Sequence, residues 1–353
     1  MKKNLMKIFT IAASLMVGVL GALSLLPMIP DTLDLASFLL FYLMILVVFV
    51  IAYVLVIILH EGGHLIFGLM TGYRFLSFRI FSLLLKRENG KFVWKRYSLA
   101  GTGGQCLMSP PNYREPYPCL LYNLGGVIVN VLTALICFLL SLMTGGVLQG
   151  IFRVIAIISL YMALTNGIPS SDTVANDGYN ALECYRSEES RKSFYQQMKI
   201  AALSGEGKRQ REMPKELFEG HGQDNDLDRY LRIAKAGRLL DRHEFEKAET
   251  ELRDILKKKD CPLLFESYAK NDLLYLDIKL KREGEEIEEL HKDLKKLKTV
   301  KDNPFYIRSE YAYAVYKEDD RGKQRALEAF RKAEKNYPYP QDIESERELI
   351  EAL

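Results

Sequence analysis

The string His60-Glu61-Gly62-Gly63-His64 sets two imidazoles four positions apart. On a helix that spacing puts both rings on one face, within reach of a single ion. Zinc takes nitrogen and oxygen ligands in tetrahedral geometry, and its catalytic sites keep one position open for water. Zinc lowers that water's pKa toward neutrality, and Glu61 stands next in line to take the proton. The surroundings sharpen the signal. Between Phe38 and Gly72 the only ionisable side chains besides Tyr42 and Tyr53 are His60, Glu61 and His64. Ionisable groups at membrane depth cost kilocalories each unless paired or liganded. The competing reading is a pair of histidines bonded to neighbouring helices, with Glu61 at the interface.

Two histidines do not complete a catalytic zinc site. His221, His243 and His291 lie in the polar part of the chain and are expected to be solvated helix or loop residues. The end of a later apolar segment is better placed. It reads Asn166-Gly167-Ile168-Pro169, then Asp172, then Asn176-Asp177-Gly178. An apolar helix broken by Gly and Pro, with two carboxylates just past the break, is irregular backbone of the kind tolerated at membrane depth where it lines a site.

These motifs resemble the site-2 protease family of intramembrane zinc metalloproteases. His60, Glu61, Gly63 and His64 match that family's first motif, and Asn166, Pro169, Asp177 and Gly178 match its Asn-x-x-Pro…Asp-Gly motif. Gly126-Val127-Ile128-Val129-Asn130 is similar to its Gly-x-x-x-Asn helix, without the usual proline after the glycine. The resemblance covers about residues 45–185 and implies that the aspartate of the second motif is the third zinc ligand. The Pro169-to-Asp177 stretch is about three residues longer than the common form, which leaves Asp172 as a competitor. The Asp-Gly dipeptide favours Asp177. Asn130 and Asn166 are candidates for hydrogen-bonding the substrate strand, with helix-packing polar contacts as the alternative.

The elements that must hold these residues follow from apolar length and charge. The chain has 353 residues, 48 Lys+Arg and 45 Asp+Glu, for a net charge of +3. The charges are unevenly spread: residues 1–169 hold 12 basic and 5 acidic residues, and residues 170–353 hold 36 and 40. This excludes a single soluble globule, and also a nucleic-acid binder driven by overall basicity. Apolar segments over about 8–28, 36–70, 119–143 and 147–169 each reach the roughly 20 residues of a transmembrane helix. The first also has the look of a secretory signal, but its long apolar part and Pro27 and Pro30 favour an uncleaved helix. The second exceeds one crossing, so it must tilt, break or protrude. Three lysines at the N-terminus and eight basic residues in 73–118 put those parts, and the C-terminal half, on the cytoplasmic side. Five cysteines, Cys106, Cys119, Cys137, Cys184 and Cys261, have no CxxC spacing and suit a reducing compartment.

Residues 74–98 read as a β-hairpin turning at Glu88-Asn89-Gly90. The resemblance implies a β-element here at the membrane face, and an added substrate strand would expose peptide bonds that a helix shields. Trp94 is equally suited to anchor at the interface. Gly101-Thr102-Gly103-Gly104-Gln105 lacks a phosphate-loop pattern and reads as a flexible connector. Past Arg186 a linker with helix is expected over 187–226, then helix pairs near 227–258, 263–298 and 304–336 and a last helix from about 341. The spacing, with Ala326, Phe330, Ala333 and Pro338, suggests divergent tetratricopeptide-like repeats. Such stacks offer a groove to peptides or partner proteins.

The expected architecture is therefore a mainly α membrane protein: a metalloprotease core over 1–186 with about four transmembrane helices and a β-hairpin, the 187–226 linker, and a cytoplasmic all-α repeat domain over 227–353. The expected activity is zinc-dependent hydrolysis of a peptide bond in or near a transmembrane segment. Glu61 is the catalytic residue, and His60, His64 and Asp177 hold the zinc. The resemblance implies membrane-anchored regulators or remnant signal peptides as substrates, in a multi-pass, bacterial cell-membrane setting. No nucleic-acid partner is expected, and the helical repeats are the candidate surface for a protein partner. Two alternatives are a catalytically inactive scaffold working through those repeats, and a CAAX-processing type of membrane zincin with a ligand such as Glu183.

Overall fold

The computed structural model describes residues 2–25, 34–88, 90–97, 102–171, 175–257, 261–282, 284–296 and 303–353. Its membrane part is built on α1 (Lys2–Leu25), α2 (Leu35–Met70), α3 (Cys119–Met143) and α4 (Gly146–Gly167). Of these, α2, α3 and α4 are long and apolar enough to cross a membrane; the apolar part of α1, Ile11–Leu25, is shorter. Asp34 caps α2 by accepting the Ser37 N–H at 2.8 Å. The 36 residues of α2 run unbroken for about 54 Å at 1.5 Å per residue, well beyond a hydrocarbon core of about 30 Å. Its buried residues all lie from the midpoint onward: Ala52, Val56, Ile57, His60, Glu61, Gly63, His64 and Gly68. That spacing of three and four is one helical stripe, turned onto α3, α4 and the sheet.

The β-structure is larger than the expected hairpin. Strands β1 (Arg74–Ile80), β2 (Leu83–Glu88), β3 (Lys91–Arg96) and β4 (Gly104–Ser109) form one antiparallel sheet in the order β3-β2-β1-β4. Glu88 pairs with Lys91, so β2 and β3 are neighbouring antiparallel strands; of the expected turn, residue 89 lies outside the described residues. Two corrections follow. The 74–98 segment holds three strands rather than two, and the glycine-rich stretch read as a connector ends in an edge strand beginning at Gly104.

After the membrane part come α5 (Asp177–Arg186) and α6 (Glu188–Gly205). Phe194 and Met198 of α6 share one buried cluster with Met108 of β4 and Tyr122 of α3, so the 187–226 stretch is packed against the sheet. Helices α7 (Asp226–Asp241), α8 (Phe245–Leu256), α9 (Leu263–Lys279), α10 (Glu286–Lys295), α11 (Pro304–Tyr316), α12 (Asp320–Asn336) and α13 (Pro340–Glu351) make the C-terminal layer. Its main core gathers Leu240, Leu252, Leu273, Tyr275, Leu290 and Leu349. The α12–α13 junction docks on the sheet: buried Lys86 donates to the Pro338 carbonyl at 3.0 Å, and Tyr97 meets Tyr337 and Tyr339 edge-on at 5.8 and 5.9 Å.

Candidate metal centre

The buried stripe of α2 delivers His60, Glu61 and His64 to one place, and α5 brings Asp177 to them. His60 Nε2 lies 3.0 Å and His64 Nε2 3.3 Å from Asp177 Oδ2, and the two ring nitrogens are 3.3 Å apart. Zinc bonds of about 2.0–2.1 Å give a tetrahedron with edges of about 3.3 Å, which is the size of this triangle. Asp177 Oδ2 is shut off from solvent and accepts no hydrogen bond among the described residues. A buried acceptor without a hydrogen bond, facing two imidazole nitrogens at 3.0 and 3.3 Å, is a donor set that suits a cation. The residues present fit zinc.

Each imidazole is turned by its other nitrogen. His64 Nδ1 lies 2.7 Å from the Tyr122 carbonyl, so it carries the proton and donates it there. His60 Nδ1 lies 3.0 Å from the side-chain amide of Asn130, whose Oδ1 is buried without a partner. Half a turn of that amide, an exchange of O and N, lets Nδ1–H donate to Oδ1 and satisfies both groups. Both Nε2 lone pairs are then left for the ion, the usual division of labour in metal-bound histidine. Asn130 thus reaches the site through His60, by a polar contact between α3 and α2.

Close helix approach makes this possible. A Cβ on Gly125 would come within 2.6 Å of the Gly63 carbonyl oxygen, and one on Gly126 within 2.6 Å of His60 Cε1. Gly126 and Asn130, four apart on α3, therefore share the face that carries His60.

Asp177 is held by its neighbour. Asn176 Oδ1 accepts the Tyr179 N–H at 2.9 Å as the N-cap of α5 and the Ser170 N–H at 3.0 Å. Its Nδ2 donates to Thr165 and Ile168 carbonyls at 2.8 and 2.7 Å. One side chain thus ties the end of α4, the loop and the start of α5 together. The preference of helix N-caps for asparagine is the signal that points to it in the sequence. Asp172, the competing ligand, lies outside the described residues. Asn166 lines the cavity but donates to Met162 in its own helix at 3.0 Å.

These side chains open into a cavity of about 710 Å³ walled also by β4 and by C-terminal helices. The family model of peptidase family M50 matches residues 48–330, spanning both motifs. The chain belongs to peptidase family M50. This is the site-2 protease family, whose members are zinc metalloproteases of the membrane. Neither the curated proteins nor the solved structures give a match to the chain.

Within this M50 chain, no other group of His, Cys, Asp or Glu among the described residues converges as His60, His64 and Asp177 do. Glu183 is engaged by Arg186 at 2.8 Å and Asn225 at 3.0 Å. Of the remaining histidines, His243 is exposed, whereas His221 bonds Gln196 at 2.7 Å. His291 is buried, stacks on Tyr313 and faces Glu310 at 3.1 Å. That corrects the expectation of a solvated residue: α10 turns it inward against α11.

Proposed function

We propose that this protein is an intramembrane zinc metalloendopeptidase that hydrolyses a peptide bond in or near a transmembrane segment of a membrane protein or remnant signal peptide. The observation that carries the reading is the buried triangle of His60 Nε2, His64 Nε2 and Asp177 Oδ2 with zinc-sized edges. Zinc, when bound, supplies a Lewis acid that brings water's pKa toward neutrality. His60, His64 and Asp177 would hold it. Glu61, on the same helical face, would take a proton from the attacking water and return it to the leaving amine. Burial of Glu61 at 7% exposure keeps bulk water from competing for that proton.

Substrate delivery falls to the sheet in this reading. β4 is an edge strand and Gly104 at its start touches Glu61, so an extended segment added there would lay its peptide bonds along the site. Trp94 on β3, 65% exposed, suits an interfacial anchor. We place four helices across the membrane, counting α1, with both termini and the C-terminal layer in the cytoplasm. We read the α7–α13 pairs as divergent tetratricopeptide-like repeats that present a surface to substrate or to a protein partner.

The test is zinc per chain in detergent-purified protein, for the wild type, His64→Ala and Asp177→Ala, alongside cleavage of co-expressed membrane substrates by wild type and Glu61→Gln. One zinc in the wild type, lost in both ligand variants, with cleavage abolished by Glu61→Gln, is the expected result. A folded wild type that binds no zinc would turn the reading to an inactive scaffold.

A further inference from the structure

The C-terminal helices do more than sit beside the catalytic cavity: they form part of its wall. His60, Glu61 and Asp177 line it together with Tyr230, Tyr337 and Asp342. A second cavity of about 250 Å³ shares Gln210, Tyr230, Tyr337 and Asp342 with the first and continues among the C-terminal helices to Glu346. The metal-site cavity and the cavity inside the helical layer thus have a wall in common.

The chemistry of that wall is lopsided. Acceptors there outnumber the donors that reach them. Gln210 Oε1 and Glu346 Oε2 are sealed from solvent and receive no hydrogen bond, and among the described residues the Asp342 carboxylate has neither hydrogen bond nor ion pair. Of the two arginines nearby, one is committed elsewhere and the other is shared. Arg209 holds Asp241 and Glu348, each at 2.5 Å. Arg308 is divided between Asp272, to which it donates at 2.5 Å, and Glu346 Oε2, with which it is ion-paired at 3.2 Å without a hydrogen bond. Lys86 is spent on the Pro338 carbonyl and Glu88. Burial, with Asp241 as a like-charged neighbour, pushes Asp342 up to about 7. Burial outweighs Arg308 at Glu346 and pushes it up to about 7 as well. Two carboxylates on the edge of losing their charge would regain it if a cation entered.

The source of such a cation follows from membrane topology. Transmembrane segments carry an excess of lysine and arginine on their cytoplasmic flank. A segment cut at this metal centre would have that flank on the side where the C-terminal helices close the cavity.

We infer that the cavity wall supplied by α7 and α13 takes the cytoplasmic flank of the substrate's transmembrane segment, with Asp342 and Glu346 receiving a lysine or arginine side chain. This rests on the protease reading above and deepens it by naming the substrate feature that the helical layer selects. The tyrosines common to both cavities, Tyr230 and Tyr337, give the aliphatic part of a long basic side chain an apolar surface and its head group ring faces.

The experiment uses the full chain in detergent micelles, zinc-loaded and carrying Glu61→Gln so that nothing is cut. The probe is a fluorescein-labelled peptide of lysines spaced by glycine and serine, compared with the same peptide bearing glutamine for lysine. The expected result is roughly tenfold tighter binding of the lysine peptide by fluorescence anisotropy, about 1.4 kcal/mol, falling as salt rises. Asp342→Asn with Glu346→Gln should erase the preference. Glu328→Gln with Glu351→Gln, which removes the same charge from exposed positions, should keep it. Should the first pair of substitutions disturb folding, amide exchange on the unsubstituted cavity gives the answer: the lysine peptide must slow exchange across 337–349 more than the glutamine peptide does. A zinc-loaded chain indifferent to lysine in both measurements overturns this inference and leaves the protease reading standing. A folded chain that binds no zinc overturns the protease reading, and this inference with it.

Discussion

Gly104 lies directly under the side chain of Glu61: a methyl group built on its α-carbon would come 2.7 Å from Glu61 Cγ, with the carboxylate oxygen closer still. The first residue of the edge strand therefore fixes where the proton-transfer group stands. Gly104→Ala forces Glu61 or the strand to move. A displacement of about 1 Å at a reacting group costs on the order of a hundredfold in rate. We expect Gly104→Ala to lower cleavage by about that factor while one zinc per chain is retained, because the atoms nearest the added methyl are all those of Glu61. Cleavage at the wild-type rate would show that Glu61 is not positioned from this side.

Asn130 makes a prediction of a different kind. Its amide meets Nδ1 of His60, so its loss leaves the ring free to turn and removes the partner that fixes the tautomer. Outer-shell partners of this type are worth about 10–100-fold in metal affinity. Asn130→Ala should weaken zinc by that much in a chelator competition, with the substrate KM unchanged. A rise in KM at unaltered zinc affinity would restore the substrate-strand role.

The sequence made some of this legible and hid the rest for identifiable reasons. The i, i+4 spacing of His60 and His64, inside a stretch otherwise nearly free of ionisable groups, marks the metal pair directly, and the bounds of α3 and α4 follow the apolar runs within two or three residues. β4 was concealed because Gly103 and Gly104 read as freedom, whereas Gly104 is there for close approach to Glu61. The contact of Asn130 with His60 depends on the rotation of α3 against α2, set by Gly63 and Gly125 meeting across the helices, and no periodicity within α3 reports that. His291 carries no mark of burial in its Lys/Glu-rich neighbourhood; only the docking of α10 on α11 supplies it.

Asn176 joins three elements through four hydrogen bonds, and Asp177 follows it in the chain. Loss of an N-cap alone costs about 0.5–2 kcal/mol, and here the loop that aims the third ligand loosens as well. Asn176→Ala is expected to lower zinc affinity at least tenfold. Asn176→Asp, which keeps the capping oxygens and loses the two donated bonds, should fall between it and the wild type. Equal zinc affinity in all three proteins would mean that Asp177 is held by the ion or by α3 rather than by its neighbour.

The buried carboxylates of α13 give the C-terminal layer a pH dependence whose sign is fixed. Asp342 faces Asp241, Lys86 and Arg209, and burial pushes it up to about 7; Glu346 faces Arg308, Asp272, Asp342 and Asp241 and is also pushed up to about 7. Unfolded carboxyls titrate near 4, so the folded layer favours the protonated forms. Their contribution to stability is complete below about pH 4 and is lost as pH rises through 7. Glu348 works in the opposite sense: its hydrogen bonds from Arg209 bring it down to about 2, and that contribution fades only as pH falls below about 4.5. Between about pH 5 and 8 the Asp342 and Glu346 effect therefore stands apart from it. Thermal unfolding followed by circular dichroism should show the wild-type midpoint falling across that window, and Asp342→Asn with Glu346→Gln should flatten the fall. Asp277, pushed by burial to about 6, stays in both proteins, so the difference between them isolates the α13 pair. The same slope in wild type and variant would mean that these carboxylates keep their charge in the fold, with water or a cation already beside them.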